Sequence, residues 1–538
     1  MKKSYISLSL VLFLSLNHGL VKGDTLKPVE RQVGNLHISI DPRMELLATI
    51  QLMSNYPVIN RKMPYSKDIL HYFNSFKTQK AVKMTDNLLQ KYGFGYDAPV
   101  TSMLYLSQLP ELEQQIPFSD YLLKRGGGKK NLEQYRKSIK QFAKITNFEA
   151  FWNSKIPFYN KILDITIADI GKIDLVKTME DYFNETQVSY NIIISPAFTG
   201  GYGPKIPDID GKYKIYACLS TTNVEFDIPY LSEEGLRYYV WHEFAHSFVN
   251  PLTEKYADKV ASLNKLFEPI KSRMSRMAYG SWDNCVNEHI IRAIHIRLVE
   301  LHLDSQQAKD MLENELGMRF IYIEPLIEKL KEFETQKDAK NITFSEFYPE
   351  LLNLFDSLLE IKYWERIDMS FKGPINNAFN EEKSVVIYPT HDADTAALKI
   401  AQNYAIQMFN TFFKPRGGIL LADTTALKTD LSEYGITAYG TIESNLFLKQ
   451  HAATFPFKIE NQTLYADNEY TDKDIKFITC VPNPLNPQKG MAIYTALSNK
   501  FIQGMNNVFH GPEDYIIFLN SDKILSKGYY TKNEKWEF

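Results

Sequence analysis

The residues of this chain best spaced to do chemistry are His242-Glu243-Phe244-Ala245-His246. On a helix, positions i and i+4 project from one face a turn apart, so both imidazoles can meet a single ion. Zinc takes imidazole nitrogen at about 2.0–2.1 Å and favours four ligands in a tetrahedron. Glu243, beside the first histidine, reaches a water on the metal rather than the metal itself. Zinc lowers the pKa of such a water towards ~7, and a carboxylate alongside takes its proton as it attacks a carbonyl. With 11 His in 538 residues, composition alone yields on the order of 0.01 such segments per chain, so coincidence is the weaker explanation.

Two histidines leave the site incomplete, because catalytic zinc usually has three protein ligands and a water. The metzincin pattern needs glycine at 249 and histidine at 252; Val249 and Leu252 stand there, which excludes it. A glutamate from a later helix is the alternative, and residues 281–295 suit that role. Glu288 lies 42 residues after His246 and shares a polar helical stripe with Arg292 and His295, opposite Val286, Ile290, Ala293 and Ile294. His295 is ~10 Å further along the helix axis than Glu288, so the two do not share an ion. Glu288 is the preferred third ligand and His289 the alternative. Glu288 and Arg292 also read as a plain helix-face ion pair. For an oxyanion stabiliser the candidates are Tyr279, Arg292 and His295.

The elements that must hold these residues are legible around them. A β-rich run at 188–195, a glycine-punctuated turn region and a second strand, Tyr213 to Leu219, lead towards a helix beginning at Ser232. The Ser232 hydroxyl is a good N-cap, with Glu233 and Glu234 in the first turn. Asn250-Pro251 is expected to end that helix near Val249. Helical patterns resume over 263–277 and from about Trp282 to Leu303. Upstream, Asp41-Pro42-Arg43 precedes a helix over Met44 to Met53, with proline in the first turn.

From about Lys383 strand and helix patterns alternate: 385–388, 395–413, 418–421, 425–433 and 436–439, with later strands at 491–496 and 515–519. Such alternation predicts an α/β layer with a mainly parallel sheet. Asp392 and Asp394 could suggest a cation site there, but Asp394 reads better as a helix N-cap. The expected organisation is thus a signal segment over 1–23, a mostly helical part over 24–184 and a metallopeptidase core over 185–372. An accessory α/β domain over 376–538 follows, for substrate recruitment, docking or regulation.

Composition excludes several classes. A net charge of −3 and a hydrophobic share of 44% describe ordinary globular domains, without the basic stripe that captures nucleic acid. Lys2 and Lys3 precede an apolar run to Leu16 that is too short for a membrane helix, and small residues end near Gly23. A secreted or periplasmic chain without a transmembrane segment is expected. Cys218, Cys285 and Cys480 are odd in number and widely spaced, so neither a paired disulfide framework nor a cysteine zinc site is expected.

The run of residues 241–251, with Asp41-Pro42-Arg43-Met44-Glu45-Leu46 upstream, resembles an uncharacterised family of secreted bacterial proteins. That family, a domain of unknown function common in Bacteroidota, is grouped with gluzincin-like peptidases. The resemblance covers roughly residues 35–360 and implies a zincin-like α+β catalytic domain. In zincins an edge strand above the active-site helix pairs with the substrate backbone; its counterpart is expected in Tyr213–Leu219 or in the run at 188–195. The expected activity is zinc-dependent hydrolysis of peptide or protein substrates, with Glu243 as catalytic base and His242, His246 and Glu288 on Zn2+. A zincin-fold binding protein or pseudoenzyme, or a zinc hydrolase of a non-peptide amide, is the alternative.

Overall fold

The computed structural model describes residues 25–538, apart from Asp169, Gly171, Lys172, Phe226, Phe509, Gly511, Pro512, Ser521, Asp522 and Glu534. The expected signal segment, 1–23, lies outside the described residues. Helix accounts for about 51% of the chain and strand for 19%, so two main sheets hold most of the strands. The chain forms two compact units, one running to Asp174 and resuming over Gln187–Glu243, the other comprising Leu175–Thr186 and Phe244–Phe538. No described helix is long and apolar enough to cross a membrane.

The first unit is built on a sheet of β1 (Val29–Val33), β2 (Leu36–Ile40), β3 (Ser189–Ile194), β4 (Gly201–Tyr202), β5 (Lys205–Pro207) and β6 (Tyr213–Leu219). β2, β3 and β6 run parallel at its centre. β1 lies antiparallel on one edge, and β4 and β5 lie antiparallel to β6 on the other. In β2 the side chains of Leu36, Ile38 and Ile40 alternate inwards, the period-two pattern of a half-buried strand. Asp41 then caps the helix Pro42–Met53, accepting from the Arg43 N–H at 2.8 Å, and Pro42 occupies a position whose N–H needs no partner. The two strands expected to carry the substrate-pairing edge, β3 and β6, are both interior. The short strands β4 and β5 take the edge instead, because the chain after Gly200 turns back onto β6.

The helix Glu233–Lys255 begins as expected: Ser232 Oγ accepts from the Gly235 N–H at 3.2 Å. It does not stop at Val249. Pro251 lies inside it and the last turn continues to Lys255. Proline costs one backbone bond, but here Thr253 hydrogen-bonds Asn287 and the Tyr348 hydroxyl, which ties that turn to neighbouring helices. Phe248 stacks on Phe183, with centroids 4.2 Å apart. The expected helix over 263–277 is broken into a short turn at Asn264–Leu266 and a helix Lys271–Arg276, after a separate helix Ala257–Ser262.

Within the second unit a seven-stranded sheet follows. Four strands, β7 (Lys383–Tyr388), β8 (Ile419–Ala422), β9 (Tyr434–Tyr439) and β11 (Asn486–Ala496), are parallel in the order β8-β7-β9-β11. β10 (Lys476–Asn483), β12 (Tyr515–Asn520) and β13 (Lys523–Gly528) extend it antiparallel. Val386 faces one apolar layer, while Val385 and Ile387 face the other, so β7 is covered on both sides. Asp394 caps the helix Thr395–Met408, accepting from the N–H groups of Ala396 and Ala397. The segment over 425–433 is not helical beyond the turn Asp423–Ala426. The expected boundary near residue 376 falls inside this second unit. Arg273 donates to Asn377 and Arg319 to the Gln488 carbonyl, both across it.

Candidate metal centre

His242, Glu243 and His246 sit in the middle of the Glu233–Lys255 helix, between the buried side chains of Val240, Trp241, Phe244, Ala245 and Val249. The apolar flanks hold the helix in place, and the period of 3.6 puts the two imidazoles on one face. Tyr238, 40% exposed, lies parallel to the His242 ring with centroids 6.5 Å apart. The amide oxygen of Asn250 lies 3.3 Å from His246 Nδ1. With that oxygen accepting, Nδ1 carries the proton and Nε2 keeps the lone pair.

Glu288 comes from the helix Trp282–His302, which begins at Trp282 as expected. Its Oε1 lies 3.4 Å from His246 Nε2. One ligand atom each of His242, His246 and Glu288 lies within 4.8 Å of the others, a group able to hold a metal ion. All three residues are largely buried, which leaves them few competing waters. The alternative ligand, His289, faces away into Trp282, Phe320 and Tyr322. Its ring N–H donates to the Cys285 carbonyl at 2.8 Å, and burial pushes it down to about 3, so it is a neutral core residue. His295 is buried on the same helix and stands outside the group.

Arg292, weighed as an oxyanion stabiliser, is engaged elsewhere. Its Nε donates to Glu288 Oε2 at 3.2 Å, its Nη1 to both oxygens of Glu315 at 2.8 Å, and its Nη2 to the Tyr279 hydroxyl at 3.1 Å. Burial and the neighbouring Glu288 charge push the Tyr279 hydroxyl up. Glu315 is also raised by burial, with Arg292 pulling against it. Glu315 was not among the candidates from sequence. It lies 23 residues from Arg292 and no helical spacing links them.

On the other side of Glu243, β4 passes close to the helix. A Cβ on Gly201 would lie 2.7 Å from Glu243 Oε1, and one on Gly203 would lie 2.5 Å from the Glu243 carbonyl oxygen. Both glycines are therefore needed for close approach, not for turning, and they hold the Glu243 carboxylate against the sheet edge. The sequence signal was present in Gly200-Gly201-Tyr202-Gly203 but read as turn punctuation. All three cysteines are buried and unpaired, and burial pushes their thiols up.

Residues 36–354 match a domain of unknown function, DUF4932. The chain belongs to the DUF4932 family. The matched DUF4932 region contains His242, Glu243, His246, Glu288, Arg292 and Glu315, and ends before the seven-stranded sheet. No curated protein and no solved structure matches the chain.

Proposed function

We propose that the chain is a secreted zinc metallopeptidase of the gluzincin type, acting on peptide or protein substrates. His242, His246 and Glu288 hold the zinc and Glu243 is the general base. The observation that carries this reading is a distance. Two ligands at 2.0–2.1 Å from a tetrahedral ion stand about 3.4 Å apart. His246 Nε2 and Glu288 Oε1 are 3.4 Å apart, longer than an ordinary N–H···O bond. Two imidazoles and a carboxylate are also the donor set of catalytic zinc with one open position.

Bound there, zinc supplies Lewis acidity, polarising a scissile carbonyl and easing the ionisation of water. The chain's own part is proton transfer and orientation. Glu243, fixed by its helix and by β4, accepts a proton at its carboxylate from the attacking water and returns it to the leaving amine. The main chain of β4, at the sheet edge beside Glu243, suits an extended substrate lying antiparallel to it. The sheet-and-helix order around the site is in keeping with a zincin-like core, and the region over 376–538 is read as its accessory α/β domain.

The test is metal analysis of the mature full chain together with Glu243→Gln, assayed on a proteome-derived peptide library. About one zinc per chain is expected. Glu243→Gln keeps size and hydrogen bonding, so it should retain zinc while hydrolysis falls by roughly 10²–10⁴-fold. Wild-type protein purified without chelators and free of metal would sink the proposal. Zinc without peptide cleavage would move it to a binding protein or to hydrolysis of a non-peptide amide.

A further inference from the structure

A glutamate ligand has two oxygens on a soft terminal torsion, and an arginine four residues on can turn it from the ion by taking both in a fork. Arg292 is such a neighbour, and its Nε donates to Glu288 at Oε2. Its Nη1 is occupied by both oxygens of Glu315 and its Nη2 by Tyr279, and its guanidinium lies 4.3 Å over the Phe320 ring. The plane of the guanidinium is thereby fixed, and its charge is matched by a carboxylate other than the ligand.

Glu315 sits in the last turn of the helix Ser305–Gly317, where the helix dipole disfavours an acid. It is 4% exposed. An acid both buried and at the wrong helix end requires a cation, and Arg292 is the one that meets it. The segment is braced beyond that. A Cβ on Gly317 would lie 2.6 Å from the Gly373 carbonyl oxygen, and Arg319 donates to the carbonyls of Met369 and Gln488. The chain leading into the seven-stranded sheet, and the sheet itself, thus hold the segment that holds Arg292.

We infer that Glu315 is a positioning residue for the metal: through Arg292 it restrains Glu288 Oε2, so that Oε1 is the oxygen presented beside His246 Nε2. This rests on the zinc reading above. Its effect is on the geometry and affinity of the site, not on proton transfer.

The experiment uses the full mature chain, with zinc affinity measured by competition against a chromophoric chelator and ligand geometry by the visible absorption of the cobalt-loaded protein. Glu315→Gln is expected to weaken zinc by roughly 10–100-fold, the range for partners of metal ligands, and to shift the cobalt bands. Glu334→Gln is the control. It breaks the Arg297 pair on the same Trp282–His302 helix, whose bonds are 2.9 and 2.6 Å. It should cost similar thermal stability and leave zinc affinity within about twofold, since ion pairs away from a site do not tune it. Glu315→Asp, which keeps the charge but draws the carboxylate back from Arg292, should shift the cobalt bands in the same sense and decides the matter if Glu315→Gln does not fold. Wild-type affinity and an unchanged spectrum in Glu315→Gln, an equal loss in Glu334→Gln, or, where Glu315→Asp decides, an unchanged spectrum there, overturns the positioning role alone. A wild type that takes up no zinc overturns the zinc reading with it.

Discussion

Along the Glu233–Lys255 helix three candidate residues fall within one five-residue stretch, whereas on Trp282–His302 one proposed ligand depends on partners far along the chain. His242, Glu243 and His246 are oriented by the helical period itself, with buried neighbours on both sides. Glu288 is oriented by Arg292, and Arg292 in turn by Tyr279, nine residues before the ligand, and by Glu315, 27 residues after it. The first helix carries a geometry that its own backbone enforces. The second carries a side chain whose direction comes from the packing around it. A carboxylate ligand is thus the adjustable part of the site, and the histidine pair is the rigid part.

Removing ligands one at a time should break this comparison most severely. His246→Ala and Glu288→Ala are each expected to weaken zinc by more than about 100-fold, beyond the range for second-tier partners, as read by chelator competition. Retention of zinc at full affinity in Glu288→Ala would take the third-ligand role away from the Trp282–His302 helix.

A carboxylate of the first unit sharpens the contrast, because Glu45 is buried without an arginine. Tyr65 donates to it at 2.5 Å, and burial, with the Tyr65 and Ser195 hydroxyls opposing, pushes it up to about 7. Its folded value lies above its unfolded value of 4.5, so the folded chain holds the extra proton between those values. That stabilisation is complete below about pH 4.5 and is lost as pH rises towards 7, amounting to about 3 kcal/mol at ~1.4 kcal/mol per unit. Thermal midpoints of wild type should fall over that window, while Glu45→Gln removes the trend. An identical slope in both would mean that the proton sits elsewhere. Glu315, by contrast, carries Arg292 as its partner, so an ion pair works against the burial there.

The smallest expected effect tests the β4 side of the base. Gly203→Ala brings a Cβ to 2.5 Å from the Glu243 carbonyl oxygen and should cost about 1–3 kcal/mol, the usual range for overpacking. Gly211→Ala, at a glycine with nothing within 4 Å but φ +74, separates crowding from backbone strain. Loss of peptide hydrolysis only in Gly203→Ala would place the effect at Glu243.

Much of the site could be read from the chain alone, and the parts that could share one property. The spacing of His242 and His246, the Asp41 cap before Pro42, the Ser232 cap and the Asp394 cap are all decided within four residues. There the helical period and the unpaired terminal N–H groups leave few choices. Glu288 was reachable because it, Arg292 and His295 form a polar stripe with few other ligands, opposite an apolar one. The same local rules misjudged Pro251, where the bonds of Thr253 to Asn287 and Tyr348 sustain a turn that proline alone would end. They also misassigned the sheet edge, because which strand is outermost depends on where residues 200–207 return, not on the β-propensity of β3 or β6. Strand β10, an antiparallel member between β11 and β12, had no signal of its own beyond an apolar run.

What the amino-acid sequence determined by itself is therefore the rigid half of the site: two imidazoles with a carboxylate between them on one helix, at a spacing set by backbone hydrogen bonds. What only the tertiary structure decided is the other half, namely which oxygen of Glu288 meets His246, which carboxylate neutralises Arg292, and which strand approaches Glu243. Those outcomes depend on burial and on contacts between residues up to dozens of positions apart, and desolvation acts on a charge only once the chain has closed around it.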